Sequence, residues 1–225
     1  MLKKHFAWIA SHYPTAFPGD PLLPRQLTVC LTFDDATFDF YHLVYPLLKR
    51  YQLKAVLAVP TAFISPSVSL APQKRLNQIT HPTPTTPIAP SPAFCSWEEL
   101  KKLSQSPLIE VASHSVSHRP LTAPKINLVF ELEHSKRTLE SALCCSVNTF
   151  VYPYGRFNPT VHQLAQKKYS YIMRLGSAAN LGWNKRKKLL YRIPSDALTH
   201  FKAPFSFLNR SGYLLRFFLN GILKK

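Results

Sequence analysis

The sequence predicts an α/β fold with a parallel sheet. Short apolar, β-branched runs alternate with segments of helical spacing. Several of those runs end in acidic, imidazole or Pro-Gly residues, as strand ends do where parallel α/β folds build their sites. Hydrophobic residues make up 46% of the 225 residues, ample for one cored domain and thin for two.

Residues 1–25 read as an N-terminal extension. Gln26–Phe33, QLTVCLTF, is a strand candidate that Asp34-Asp35 ends, and Phe38–Tyr51 follows with helical spacing. Lys54–Val59 is a second strand, and a strand–helix–strand succession implies right-handed crossovers in a parallel sheet. Pro60–Pro92 holds eight prolines and the tract HPTPTTPIAPSP, a composition that predicts a mobile inserted loop, neither helix nor central strand. Ser96 and Glu99 have the spacing of a capping box, so a helix should run to about Ser104, stopped by Pro107. Strands are then expected at Leu108–Ala112, Asn148–Tyr152, Tyr171–Leu175 and Leu189–Ile193, with helices at Asn127–Leu143 and Thr160–Lys168. Gly212–Lys225 is apolar with Arg216, Lys224 and Lys225. It reads as a C-terminal basic apolar helix over about 206–225, docked on the domain or lying on a membrane surface.

Lys and Arg total 28 against 11 acidic residues, a formal charge of +17, which points to an acidic partner without choosing among nucleic acid, anionic lipid and anionic glycan. Four cysteines, two of them adjacent, are too few and too irregular for a disulfide scaffold. No apolar run reaches the roughly 20 residues of a membrane span, and the apolar stretch at the N-terminus is shorter than a secretory signal core. The expectation is a cytoplasmic chain, soluble or peripheral to the membrane.

Three fragments carry chemistry. Thr32-Phe33-Asp34-Asp35 places two of the five aspartates at a strand end. Ser113-His114-Ser115-Val116-Ser117-His118 sets two imidazoles four residues apart, close enough for one metal. Two histidines and one carboxylate suit Zn²⁺ and leave a coordination position open. Ser115 follows the first histidine, so a base must come from elsewhere in the chain. Phe150-Val151-Tyr152-Pro153-Tyr154-Gly155 is a strand running into a turn whose backbone N–H groups could serve as an oxyanion hole.

In this order and spacing, TFDD, HSVSH and YPYG resemble the polysaccharide deacetylase family, the NodB-like carbohydrate esterases of family 4, in the branch that carries YPYG. The resemblance covers about 26–64 and 94–200, interrupted by the Pro-rich insertion at about 60–94. It implies a deformed (β/α) barrel over 26–205 that removes N-acetyl groups from N-acetylglucosamine-containing glycan, peptidoglycan or a related polysaccharide, with one divalent metal, Zn²⁺ first. Carried over by position, Asp34 is the general base, and Asp35, His114 and His118 are the metal ligands. The backbone N–H of Tyr154 is an oxyanion donor and Ser115 helps hold the site. His200, in Leu198-Thr199-His200, is the proton donor to the amine. The family's Arg before the turn is Val151 here, and Arg192 is offered in its place. Ala36 stands where the family has Gly, a mild change if its φ is negative. Trp183 lies in about the region of an absent Asp-Trp motif.

Two alternatives stand beside this reading. One is a deacylase of a lipid-linked sugar precursor at the inner membrane face. The other is a non-catalytic basic binding module on the same fold; nucleic acid is the weaker partner for it, since no nucleic-acid motif accompanies the basic residues. The basic run Asn184–Lys188 reads as a solvated turn or a site for anionic groups.

Overall fold

The protein was analysed as a computed structural model, which describes residues 1–183, 188–196, 198 and 200–222. Six strands, β1 Leu31–Phe33, β2 Ala55–Val59, β3 Ile109–Ser113, β4 Thr149–Val151, β5 Tyr171–Leu175 and β6 Leu189–Arg192, form one all-parallel sheet in sequential order. Sequential parallel order with every crossover on one side makes the sheet curl, and the curl brings its two edge strands together. Arg192 at the end of β6 reaches Thr32 and Asp34 at the end of β1. The result is an α/β half-barrel.

Both faces of the sheet are covered, so β2 reads AVLAV with every residue buried. Ala55, Leu57 and Val59 join the outer core with Val111, Phe150 and Tyr191. Val56 and Ala58 turn inward with Ala112, Val151, Met173 and Leu190, and Phe17 packs against that inner cluster.

Among the described residues, seven α-helices pack around the sheet. The first, α1 Leu2–His12, buries Phe6 and Ile9 in the outer core. Its Phe6 meets Phe33 edge-on and its Trp8 packs on Phe205, which follows β6. The N-terminal helix thus bridges the seam between first and last strands. Residues 26–30 add no rungs to β1, because Val29 bridges to Thr15 instead.

Two expected helices begin as a wide π-helical turn. Phe40–Val44 precedes α2 Tyr45–Tyr51, where Pro46 has no N–H to donate four residues back. Phe130–His134 precedes α5 Ser135–Leu143. The capping box of α4 Trp97–Ser104 forms as read, with Ser96 Oγ accepting from Glu99 N and Glu99 Oε2 from Ser96 N. The helices α6 Pro159–Lys168 and α7 Phe207–Ile222 complete the set.

The Pro-rich segment departs from expectation. It contains a helix, α3 Pro72–Leu76, started by Pro72 at the first position, where a missing N–H costs nothing. Arg75 from that helix is buried, pairs with both oxygens of Glu99, and donates to the carbonyls of Pro92 and Phe94. These contacts fasten the base of the insertion to α4. All four cysteines are free thiols. Residues 184–187 of the basic run, Thr199 and Leu223–Lys225 lie outside the described residues.

Candidate active site

The site lies at the C-terminal ends of β1, β3, β4 and β6. The turn after β1 carries Asp34 and Asp35, and the turn after β3 carries His114 and His118. The structure brings all four together. Asp35 Oδ1 stands 3.1 Å from His118 Nε2 and 3.8 Å from His114 Nε2, and the two Nε2 atoms are 3.2 Å apart. His114 Nδ1 bonds the Val151 carbonyl at 2.8 Å, which puts the proton on Nδ1 and leaves Nε2 with a lone pair toward the cluster. Asp35 is only 6% exposed, and its Oδ1 makes no hydrogen bond.

A buried carboxylate oxygen without a donor, facing the His114 Nε2 lone pair and beside His118, whose own Nδ1 is buried without a partner, is costly unless a cation completes the group. The donor atoms of Asp35, His114 and His118 lie within 4.8 Å of one another and could hold a metal ion. Burial, then the adjacent His114 ring, pushes His118 down to about 4, so its imidazole is neutral at neutral pH, the form a metal requires.

Asp34 stands apart from this group with a different partner. Arg192 grips it as a fork, Nη1 to Oδ1 at 2.6 Å and Nη2 to Oδ2 at 2.8 Å, while Oδ2 is 4.0 Å from His114 Nε2. Burial disfavours the Asp34 charge, but Arg192 and the neighbouring imidazoles outweigh it and hold the carboxyl at about 2. The charge missing at Val151 is thus supplied across the seam from β6.

The HSVSH turn is fixed from below. Ser115 Oγ accepts from His118 N at 3.0 Å. Glu131, buried in the π-helical turn before α5, accepts from Val116 N, Ser117 N and Ser117 Oγ. Sequence reasoning missed Glu131, whose only signal is an acidic residue on what reads as a half-apolar helix. Tyr154, the third residue of the YPYG turn, has φ +57°, and Gly155, at φ +64°, lies against Leu175, where a side chain would crowd. The Tyr154 ring packs on His118.

A third imidazole was also missed. His81 Nδ1, from the Pro-rich insertion, lies 2.9 Å from Asp35 Oδ2, and the Tyr154 hydroxyl donates to the next carbonyl, Pro82 O, at 2.8 Å. The hydrogen bond to Asp35 raises the pKa of His81.

Other expectations change. Ala36 has φ +51°, so its replacement of Gly is strained, and its methyl is fully buried in compensation. Trp183 donates from Nε1 to Asp20 O, near Lys54 at the opposite end of the barrel, and does not approach the site. His200 is exposed, stacks on Phe201 and accepts from Lys202 N; among the described residues it bonds to none of the site groups.

Fold and site define an α/β half-barrel with a metal-ready Asp–His–His group beside an arginine-paired aspartate. The chain belongs to the polysaccharide deacetylase family, whose profile matches residues 24–171. YxkH of Bacillus subtilis, assigned to the polysaccharide deacetylases, is 25% identical over 173 residues, 72% of this chain and 52% of its own. The poly-β-1,6-N-acetyl-D-glucosamine N-deacetylase of Escherichia coli K12 is 23% identical over 214 residues, 78% of this chain and 30% of its own. The chain thus spans about half or less of these relatives. A de-N-acetylase from Aggregatibacter actinomycetemcomitans has the same fold, with a TM-score of 0.67 at 21% identity over 93% of this chain and 87% of its own. The Streptococcus pyogenes deacetylase PplD matches at 0.64 and 24% identity, over 85% and 78%.

Proposed function

We propose that the chain is a metal-dependent N-deacetylase of glycans containing N-acetylglucosamine, peptidoglycan or a related polysaccharide. The observation that carries this reading is the convergence of Asp35 Oδ1, His114 Nε2 and His118 Nε2 beside a second carboxylate held ionised by Arg192. Family membership and the poly-N-acetylglucosamine specificity in the E. coli relative's name support the substrate class.

Zn²⁺ suits one carboxylate and two imidazoles, and when bound it would polarise the acetamide carbonyl and acidify a water. Asp34, fixed in orientation by the Arg192 fork, takes the proton as a water oxygen bonds to the carbonyl carbon. The proton that Asp34 takes goes on to the amide nitrogen as the C–N bond breaks, leaving acetate and a free amino sugar. The Tyr154 N–H is assigned to the developing oxyanion by its place in the YPYG turn, and Ser115, whose Oγ accepts from His118 N, keeps His118 in position. His200 is left out of these steps by its exposed place beside Phe201 and Lys202.

After Zn²⁺ loading and desalting, the native chain should retain about one equivalent, the count for a single mononuclear site. Asp34→Asn should retain the metal but release no acetate from N-acetylglucosamine oligomers, and a His114→Ala, His118→Ala double variant should retain almost no metal. Metal-free native protein, or native-like acetate release by Asp34→Asn, would overturn the assignment.

A second reading, action on a lipid-linked sugar at an anionic membrane surface, is favoured by α7. Its Tyr213 and Phe217 face the domain, Tyr213 through its carbonyl to Ala179 N and Phe217 against Tyr191. Phe207 and Leu208, each 82% exposed, then Leu214, Leu215, Phe218 and Leu219 recur at helical spacing along the outer side. With Arg210 and Arg216 on the same helix and a net charge of +17, that stripe suits an interfacial helix. Among the described residues no helix is long and apolar enough to cross a membrane. Flotation with anionic but not neutral vesicles is expected, and equal flotation with both removes this reading.

A further inference from the structure

The Pro-rich insertion is fastened at its base by Arg75 and touches the site at its tip. Two adjacent tip residues make separate contacts, His81 with Asp35 and Pro82 with Tyr154. An ionised carboxylate only accepts hydrogen bonds, so His81 Nδ1 carries the hydrogen and donates it to Oδ2. The other carboxylate oxygen, Oδ1, is the one turned toward His114 and His118.

We propose that His81 is a positioning residue for the metal centre: its Nδ1–H holds Asp35 in the rotamer that presents Oδ1 to the cation. The Tyr154 hydroxyl keeps the tip in place through Pro82. This rests on the metal reading above and adds a residue from outside the TFDD, HSVSH and YPYG fragments. It also gives the insertion a task. Without the donor, Oδ2 would be free to rotate toward the cation or solvent, and the ordered ligand geometry would have to be formed on binding. Partners that orient metal ligands in this way typically contribute 10–100-fold in affinity. The side chain is 77% exposed, so its removal leaves no cavity in the core and the fold should persist.

The test is zinc affinity by competition with a fluorescent chelator, with urea unfolding of each metal-free variant alongside. His81→Ala should bind zinc about 10–100-fold more weakly with an unchanged unfolding midpoint. His81→Asn, whose amide N–H can occupy the place of Nδ1–H, should recover most of that loss. Native-like affinity in His81→Ala, or an equal loss in both variants, would overturn the proposal while leaving the metal site standing. A native chain that takes up no zinc would overturn the metal reading and this inference together.

Discussion

Glu131→Ala should be strongly damaging although the residue lies outside the site's own side chains. The Glu131 carboxylate is 5% exposed and accepts from Val116 N and Ser117 N at 2.9 Å each and from Ser117 Oγ at 2.6 Å. Truncation orphans two buried backbone donors at about 1–3 kcal/mol each, so the expected loss is about 2–6 kcal/mol. The lower end applies if water fills the space the side chain leaves. Against a total stability of about 5–15 kcal/mol for a typical domain, this is a large fraction. Glu131→Gln separates geometry from charge. Its amide oxygen can accept from both N–H groups while its NH₂ donates to Ser117 Oγ, so the cost should fall to about 1–2 kcal/mol. Urea unfolding measures both, and chelator competition should register weaker zinc binding in the alanine variant, because the freed turn carries His118. An alanine variant within about 1 kcal/mol of native, or with native zinc affinity, would refute the view that this carboxylate builds the imidazole turn.

Arg192→Met should lower turnover by about 10²-fold, near the lower end of what a positioned base contributes, while zinc content stays at the native level, because Arg192 touches Asp34 and not the ligands. Loss of metal in that variant would contradict the division of roles. Glu110→Gln tests a group away from the site. Burial raises the Glu110 carboxyl from 4.5 to about 6, partly offset by a hydrogen bond from Thr149, so the folded state holds the proton more tightly than the unfolded one. That contribution is present below about pH 4.5 and lost as pH rises through about 6. The glutamine should therefore stabilise the protein at pH 7.5 by up to about 2 kcal/mol and leave it unchanged at pH 4, read from urea unfolding at the two values. An equal effect at both pH values would reject the burial argument.

The positions of most strands and the ends of most helices are local features, and local chemistry announced them: short apolar runs for β2 and β5, the Ser96–Glu99 box for α4. The site residues at TFDD and HSVSH were legible for a related reason, since polar chemistry at the ends of apolar runs stands out. What escaped is chemistry carried between segments far apart in the chain. Glu131 looks like any helix acid until the HSVSH turn lands on it. His81 sits in a tract whose prolines suggest only a loop, and its role depends on Arg75 anchoring that loop 24 residues before Glu99. The pairing of Arg192 with Asp34 spans 158 residues and exists only because the sheet curls. Pro46 gave a visible reason to doubt a regular helix over 38–51, yet periodicity alone does not distinguish a π-helical turn from an α-helical one.

The three fragments share a backbone feature that explains why their side chains meet. Asp35, Ala36, Ser115, His118 and Tyr154 all have positive φ, at +69°, +51°, +67°, +54° and +57°. None is glycine, and each such residue costs about 1–2 kcal/mol relative to the right-handed region. A strand leaving a parallel sheet in ordinary geometry would carry its next side chains away from its neighbours. The left-handed residues turn the exits of β1, β3 and β4 back over the sheet edge, which is how Asp35, two imidazoles and the YPYG turn come within contact of one another. The surrounding structure offsets that strain locally: the Ala36 methyl is buried, Ser115 Oγ and Glu131 hold the HSVSH turn, and Tyr154 is tied to Pro82. Positive φ also occurs at Arg25, Gln52, Lys125, Cys144, Ser177 and Lys188, so what sets this edge apart is that five such residues meet there around one cluster of titratable side chains.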